Sequence, residues 1–375
     1  MSMRMLDTKR MIAAVGIALA GAAVAAAVSC EVRTDSELEG PATFEVTLRE
    51  GQTGSAEQPL AFSSQPLTYL LDVRAVDGDG STAEWFSGEV HLDLQPRGKL
   101  SSGQTRWFEV AEGVAQGVEV SVEKIHSTAN IWVEDTGTEK QPGSYATGLS
   151  PKLHFRHPTI RNAQESEMHL SAGLRGQFAE IDLAGRTAVV TGVSRDGFYV
   201  TDTSEPDLFY SSIYAYSFSR PDVEIGDRVV ELRGTVDEFF GFTELGFPSW
   251  KAQGTAELPG AVRIDAQLLA DDDSMEPYES ALVEVKDVEV CPVTEGYHTY
   301  GQWKVLVDPA GDCSSGEGAI NVVSSYTAPE INPAELSGET IERIAGNLRY
   351  HMAASPSWII YVRGSQDIDL GGESR

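Results

Sequence analysis

From Thr43 onward, apolar residues recur at every second position in short runs, and turn residues separate the runs. Segments 43–48, 69–76, 88–94, 117–122 and 129–134 all alternate in this way. A period of two sends neighbouring side chains to opposite faces, so each run has one face to bury and one to wet. Asp77-Gly78-Asp79-Gly80 and Pro96-Arg97-Gly98 supply the turns. No helical period intervenes. About seven strands in a stretch of roughly this length, each with one apolar face, predict a two-sheet sandwich over 41–158. Hydrophobic residues make up 41% of the 375, enough for real cores, and 36 glycines and 17 prolines suit a turn-rich β-protein.

This N-terminal half resembles the immunoglobulin-like modules of bacterial surface proteins, a resemblance of strand pattern. The segment 159–172 reads as a linker, with a short helix near Asn162 to Met168. Beyond it lies a weak internal repeat. In the first copy, runs at 187–193, 197–202, 213–216, 223–229, 232–236 and 241–245 follow one another. In the second, runs at 281–285, 302–308, 320–323, 336–341, 344–348 and 358–362 keep the same order. Short strands in this order suit two small Greek-key barrels, at 173–262 and 263–370, with 371–375 as a tail.

The first copy carries Gly197-Phe198-Tyr199-Val200-Thr201-Asp202, Gly226-Asp227-Arg228-Val229, Gly234-Thr235-Val236-Asp237-Glu238-Phe239 and Gly241-Phe242-Thr243-Glu244-Leu245. In these motifs it resembles the OB-fold modules of secreted extracellular nucleases. The resemblance implies an OB-like barrel, and a looser one extends it to about residue 370. It covers no catalytic domain, so nuclease activity is not expected to carry over. The fold class expected is all-β: an immunoglobulin-like β-sandwich followed by two tandem OB-like barrels.

The first thirty residues read as a targeting segment. Arg4, Lys9 and Arg10 precede an uncharged run, 11–28, that stops at Ser29-Cys30. A cleaved secretory signal ending at Ala25-Ala26-Ala27, an uncleaved anchor and a lipoprotein signal all begin in this way. Ala27-Val28-Ser29-Cys30 resembles a bacterial lipoprotein lipobox, which implies a signal peptide over 1–29, acylation of Cys30 and a tether over 30–40. A cysteine ending an apolar run, followed at once by Glu31, Asp35, Glu37 and Glu39, favours that reading. Several acyl chains hold a domain at a bilayer far better than one. Glu31 in place of an aspartate implies the outer membrane. The lipid bilayer is then a partner through Cys30, and Cys291 and Cys313 remain to form a disulfide in an oxidising compartment.

Charge narrows the ligand. Twenty-eight Lys and Arg face 57 Asp and Glu, a net charge of −29. Segment 173–250 has a net charge of −7 and segment 251–370 one of −13. Phosphate contacts supply most non-specific nucleic-acid affinity, so DNA and RNA are poor partners for these barrels. The aromatics Tyr199, Tyr214, Tyr216 and Phe240 form a candidate stacking surface for a glycan or protein ligand.

No cofactor is required by any motif. Calcium is the candidate cation, at Asp77 and Asp79 or at Asp271 and Asp273, although short acidic runs are usually solvated loops. His154 and His157, three apart in a strand, fall on opposite faces and do not make a zinc pair. Hydrolase, phosphate-loop and dinucleotide signatures are all lacking in the sequence. The function expected is a non-catalytic binding or scaffolding module anchored in the envelope. The alternatives are an accessory subunit of an extracellular nuclease or polysaccharide enzyme, and a cryptic hydrolase.

Overall fold

The computed structural model describes residues 40–137, 143–165, 174–352 and 356–371. The protein is all-β, and among the described residues no helix exceeds six residues. Cys30 and its flanking segment lie outside the described residues, as does Met168.

The first unit contains β1 (Thr43–Glu50), β2 (Leu67–Val76), β3 (Gly88–Gln95), β4 (Lys99–Leu100), β5 (Trp107–Val110), β6 (Val114–Glu123), β7 (Thr128–Glu134), β8 (Thr147–Leu149) and β9 (Leu153–His154). One sheet runs β1-β2-β6-β4 and the other β5-β3-β7-β8, with β9 beside β7. Both sheets turn their alternate apolar residues onto one core. Leu71, Val73, Val120 and Val122 come from the first, and Val90, Leu92, Ile131 and Val133 from the second. The alternation read in the sequence is therefore the burial pattern of the strands, as in β3, where Val90, Leu92 and Leu94 point inward.

The chain leaves this unit through α1 (Ile160–Gln164). Thr159 accepts from the Asn162 amide, and Asn162 accepts in return from the Thr159 amide. This reciprocal cap satisfies two donors that a short helix would otherwise leave open.

Two closed barrels follow. The first holds β10 (Phe178–Glu180), β11 (Ala188–Val193), β12 (Gly197–Asp202), β13 (Ser212–Tyr216), β14 (Asp227–Phe239) and β15 (Phe242–Thr255). Pairing runs β14-β11-β12-β13-β15 and closes through β14–β15, with β10 outside the ring and β13–β15 parallel. The second holds β16 (Val262–Arg263), β17 (Leu282–Val290), β18 (Gln302–Leu306), β19 (Ala319–Val323), β20 (Thr340–His351), β21 (Ser357–Tyr361) and β22 (Ile368–Asp369). Its ring is β17-β18-β19-β21-β20, closed through β17–β20, with β19–β21 parallel. Strand for strand, the two paths are the same.

Two details differ from the sequence reading. Segments 223–229 and 232–236, read as separate runs, contribute to one long strand, β14. Register shifts against β15 between Asp227 and Val229, Val229 and Glu231, and Arg233 and Thr235 bend it. A strand bent by bulges can pair with several neighbours in turn, and this strand serves β10, β11 and β15. The expected boundary at 262/263 falls inside β16, because Val262 and Arg263 pair in parallel with Val283 and Glu284 of the second barrel.

Cys291 and Cys313 are bonded, with Cα atoms 5.5 Å apart. The bridge ties the residue after β17 to the loop after β18. Closing a loop of 22 residues contributes about 3 kcal/mol in the chain-entropy model.

Candidate functional site

In each barrel alternate residues fill the interior, and the residues between them face out. In β12, Phe198 and Val200 lie inside; in β13, Ile213 and Ala215 do. Tyr199 and Tyr214 therefore point outward, yet both are buried, with Phe242 of β15 beside them. Their rings pack at 4.7 Å (Tyr199–Tyr214) and 5.7 Å (Tyr214–Phe242). What covers them is the outer face of β20. There Leu348 and Tyr350 enter the second core, so Asn347 and Arg349 are left facing the first barrel.

Arg349 is seated among rings. Its guanidinium lies 4.3 Å from the Phe242 centroid, 5.3 Å from Tyr214 and 5.7 Å from Tyr361. Such contacts contribute up to about 2 kcal/mol each when desolvated. Burial works against its charge, but the tyrosine hydroxyls and Glu244 hold its pKa above the ordinary arginine value. The Glu244 and Glu279 carboxylates attract it, and it hydrogen-bonds the Tyr199 side chain.

Asn347 donates from Nδ2 to Thr191 Oγ1 (3.1 Å) in the other barrel and to the Ser280 carbonyl (3.1 Å). Its Oδ1 is buried without a hydrogen-bond partner. That oxygen lies against Gly192, at the register shift of β11, where any Cβ would overlap it. Arg363 completes the seam. It grips Asp367 through Nε (2.8 Å) and Nη2 (2.7 Å), and donates from Nη1 to the Thr191 carbonyl (3.0 Å).

Between these parts lies a cleft of about 490 Å³, within the range of small-molecule sites. Tyr199, Arg195 and Asp196 come from the first barrel, and Tyr326, Asn347, Arg349, Tyr361 and Arg363 from the second. Asp196 accepts from the Tyr214 hydroxyl (2.7 Å) and from Ser194 (3.0 Å). Arg363 is committed to Asp367, and Arg349 to its rings, the Tyr199 hydroxyl and Glu244, whereas Arg195 is exposed, so the cleft presents positive charge inside a strongly acidic protein.

Behind the cleft the seam buries acid. Glu244 is pushed up to about 7 by burial, against the pull of Arg349. Burial, and then neighbouring Glu276, hold the Glu279 carboxyl well above its ordinary value. Glu279 Oε2 accepts from the Thr243 amide across the barrels (2.9 Å), and Oε1 has no hydrogen-bond partner.

Comparison with known proteins assigns no family. No family model matches the chain, and no curated protein matches it. Among solved structures it is similar to dimeric latent PorU from Porphyromonas gingivalis, at 11% identity and a TM-score of 0.18. The alignment covers 85% of this chain and 34% of the PorU chain, and nothing is carried over from it.

Of the four aromatics expected to form one stacking surface, Tyr199, Tyr214 and Tyr216 pack together with Phe242, and Phe240 stands apart. Tyr199 and Tyr214 are packed into the seam, because a second barrel covers the face that a single barrel would leave open. Tyr216 is half-buried against Phe218 (4.4 Å). Phe240 is exposed at the β14–β15 turn, where it and Gly241 both have positive φ, as a two-residue hairpin turn requires.

The calcium candidates serve their own loops. Asp79 accepts from the Ser81 amide (2.9 Å) and hydroxyl (2.7 Å), which lowers its pKa, and Asp77 accepts from Trp85 Nε1 (3.1 Å). Asp271 accepts from the Ser274 hydroxyl, and Asp273 is exposed in the same helical turn. Among the described residues no three His, Cys, Asp or Glu are arranged to hold a metal. His154 pairs with Thr128 in the sheet, whereas His157 lies 3.9 Å from Glu180.

The sequence reading missed Arg349, Asn347, Tyr326 and Tyr361. The available signal was the pair Asn347 and Arg349, alternate polar residues flanking Leu348 on a strand whose intervening positions are apolar.

Proposed function

We propose that this chain is a non-catalytic envelope lipoprotein, anchored through acylated Cys30, that presents the inter-barrel cleft as its binding site. The observation that carries the reading is the cleft itself: a ring-seated Arg349 beside the exposed Arg195 and Tyr326. Support for immunoglobulin-like and OB-like modules comes from the two-sheet unit and from the twice-repeated five-strand path. OB folds bind ligands on the outer face of their second and third strands. Here those are β12 and β13, whose outer face β20 covers so that Tyr199 alone of the two strands lines the cleft.

The outer-membrane anchor rests on the residues around Cys30. No helix among the described residues is long and apolar enough to cross a membrane. The test is detergent-phase partition with intact mass, on wild type and Cys30→Ser. Acylated wild type in the detergent phase, with the variant in the aqueous phase, is the expected result. An unmodified wild-type chain in the aqueous phase refutes the anchor.

A further inference from the structure

We infer that the inter-barrel cleft takes a carboxylate-bearing sugar, with the carboxylate on the Arg349 guanidinium and ring hydroxyls on Asp196. The inference rests on the reading of the cleft as the binding site. A planar guanidinium offers a forked pair of donors that matches a carboxylate, and the rings around Arg349 hold that fork in place without neutralising it. Arg195, exposed at the cleft, adds a second positive charge.

The acceptor specifies the rest of the ligand. The Asp196 carboxylate lines the same cleft, so the ligand must bring donors as well as an anion. A ring of hydroxyls with one carboxylate does both. Tyr326, 84% exposed where it lines the cleft, offers a flat apolar face for the other side of a pyranose. Inorganic phosphate brings charge without a ring face, and a doubly charged anion meets Asp196. Neutral sugars bring no charge to Arg349 and Arg195. The acidic surface elsewhere on the chain repels polyanions, which favours a short ligand end entering the cleft over a long strand lying across the barrels.

Saturation-transfer NMR on the full chain tests this with glucuronate and galacturonate as probes. Glucose, galactose, inorganic phosphate and triglycine are the controls. Saturation of the uronates alone is expected, weakened about 10- to 100-fold by Arg349→Gln, the range for losing a charge-assisted hydrogen-bonded pair. Arg349 also packs the seam, so Tyr326→Ala and Arg195→Gln, both at exposed positions, provide variants that leave the fold intact. Each is expected to weaken uronate binding several-fold. Equal saturation by glucose or galactose, lost in Tyr326→Ala, overturns the acidic class and leaves the cleft as a binding site. Phosphate or triglycine competing as well as the uronates overturns the sugar class. Uronate binding unchanged in all three variants overturns both the inference and the assignment of the cleft. Silence from every probe overturns the inference.

Discussion

Replacing Glu244 with glutamine should stabilise the first barrel at alkaline pH and leave it unchanged in acid. Glu244 is buried on the outer face of β15, beside Tyr214 in the ladder and behind Arg349. Burial raises its carboxyl to about 7 from an ordinary 4.5, and the attraction of Arg349 only partly offsets this. A folded-state value above the unfolded one means that the native state holds its proton more tightly. The associated stability is complete below pH 4.5 and is lost as pH rises through 7. Above that range the gap amounts to about 3 kcal/mol, the cost of keeping the carboxylate charged where it is. Glutamine has the same shape and never ionises, so Glu244→Gln removes the cost. A chain of three units does not unfold in one step, so a local probe is needed. Hydrogen exchange of peptides from β14 and β15 reads local opening, and comparing both proteins at one pH cancels the intrinsic rates. At pH 8 the variant should exchange about two orders of magnitude more slowly, and at pH 4 the two should coincide. Faster exchange in the variant at pH 8 would show that the charge on Glu244 holds Arg349 in place and outweighs its own burial, and the reasoning would fall.

Two further outcomes follow from other parts of the molecule. Gly192→Ala places a methyl on Asn347 Oδ1, whose amide is held by Thr191 and Ser280. It should cost about 1–3 kcal/mol and raise exchange in β11 and β20 together; a loss confined to β11 would show that the seam is not the element strained. His126, fully buried at the foot of the first unit, is pulled down to about 4 by burial and then by Arg97. A depressed histidine contributes stability that is present above pH 6.5 and lost as pH falls through 4, about 3 kcal/mol in all. The ratio of wild-type to His126→Leu exchange in β6 and β7, taken at each pH so that intrinsic rates cancel, should therefore rise as pH falls from 7 to 4, and a constant ratio would refute it.

The parts of this architecture that were legible in the sequence are those set by local periodicity. Val90, Leu92 and Leu94 announce a strand whichever sheet receives it, and the repeated order of runs reflects a repeated barrel path. Cys291 and Cys313 were readable as a pair by subtraction, once Cys30 was set aside for lipid. The continuity of β14 was hidden because bulges break its alternation, so a single bent strand looks like two straight ones. The seam was hidden for a deeper reason. Tyr199 and Tyr214 occupy the wet phase of their strands, and Asn347 and Arg349 the wet phase of theirs. Read strand by strand, all four are solvent-facing. They become a site only when two outer faces meet, and that meeting depends on contacts across more than a hundred residues, such as Asn347 to Thr191. Polar residues at the outer positions of one barrel thus carry no local mark that separates a solvated face from a docked one. The separation comes from a buried oxygen with no donor and a guanidinium set among three rings, marks that exist only where the two barrels dock.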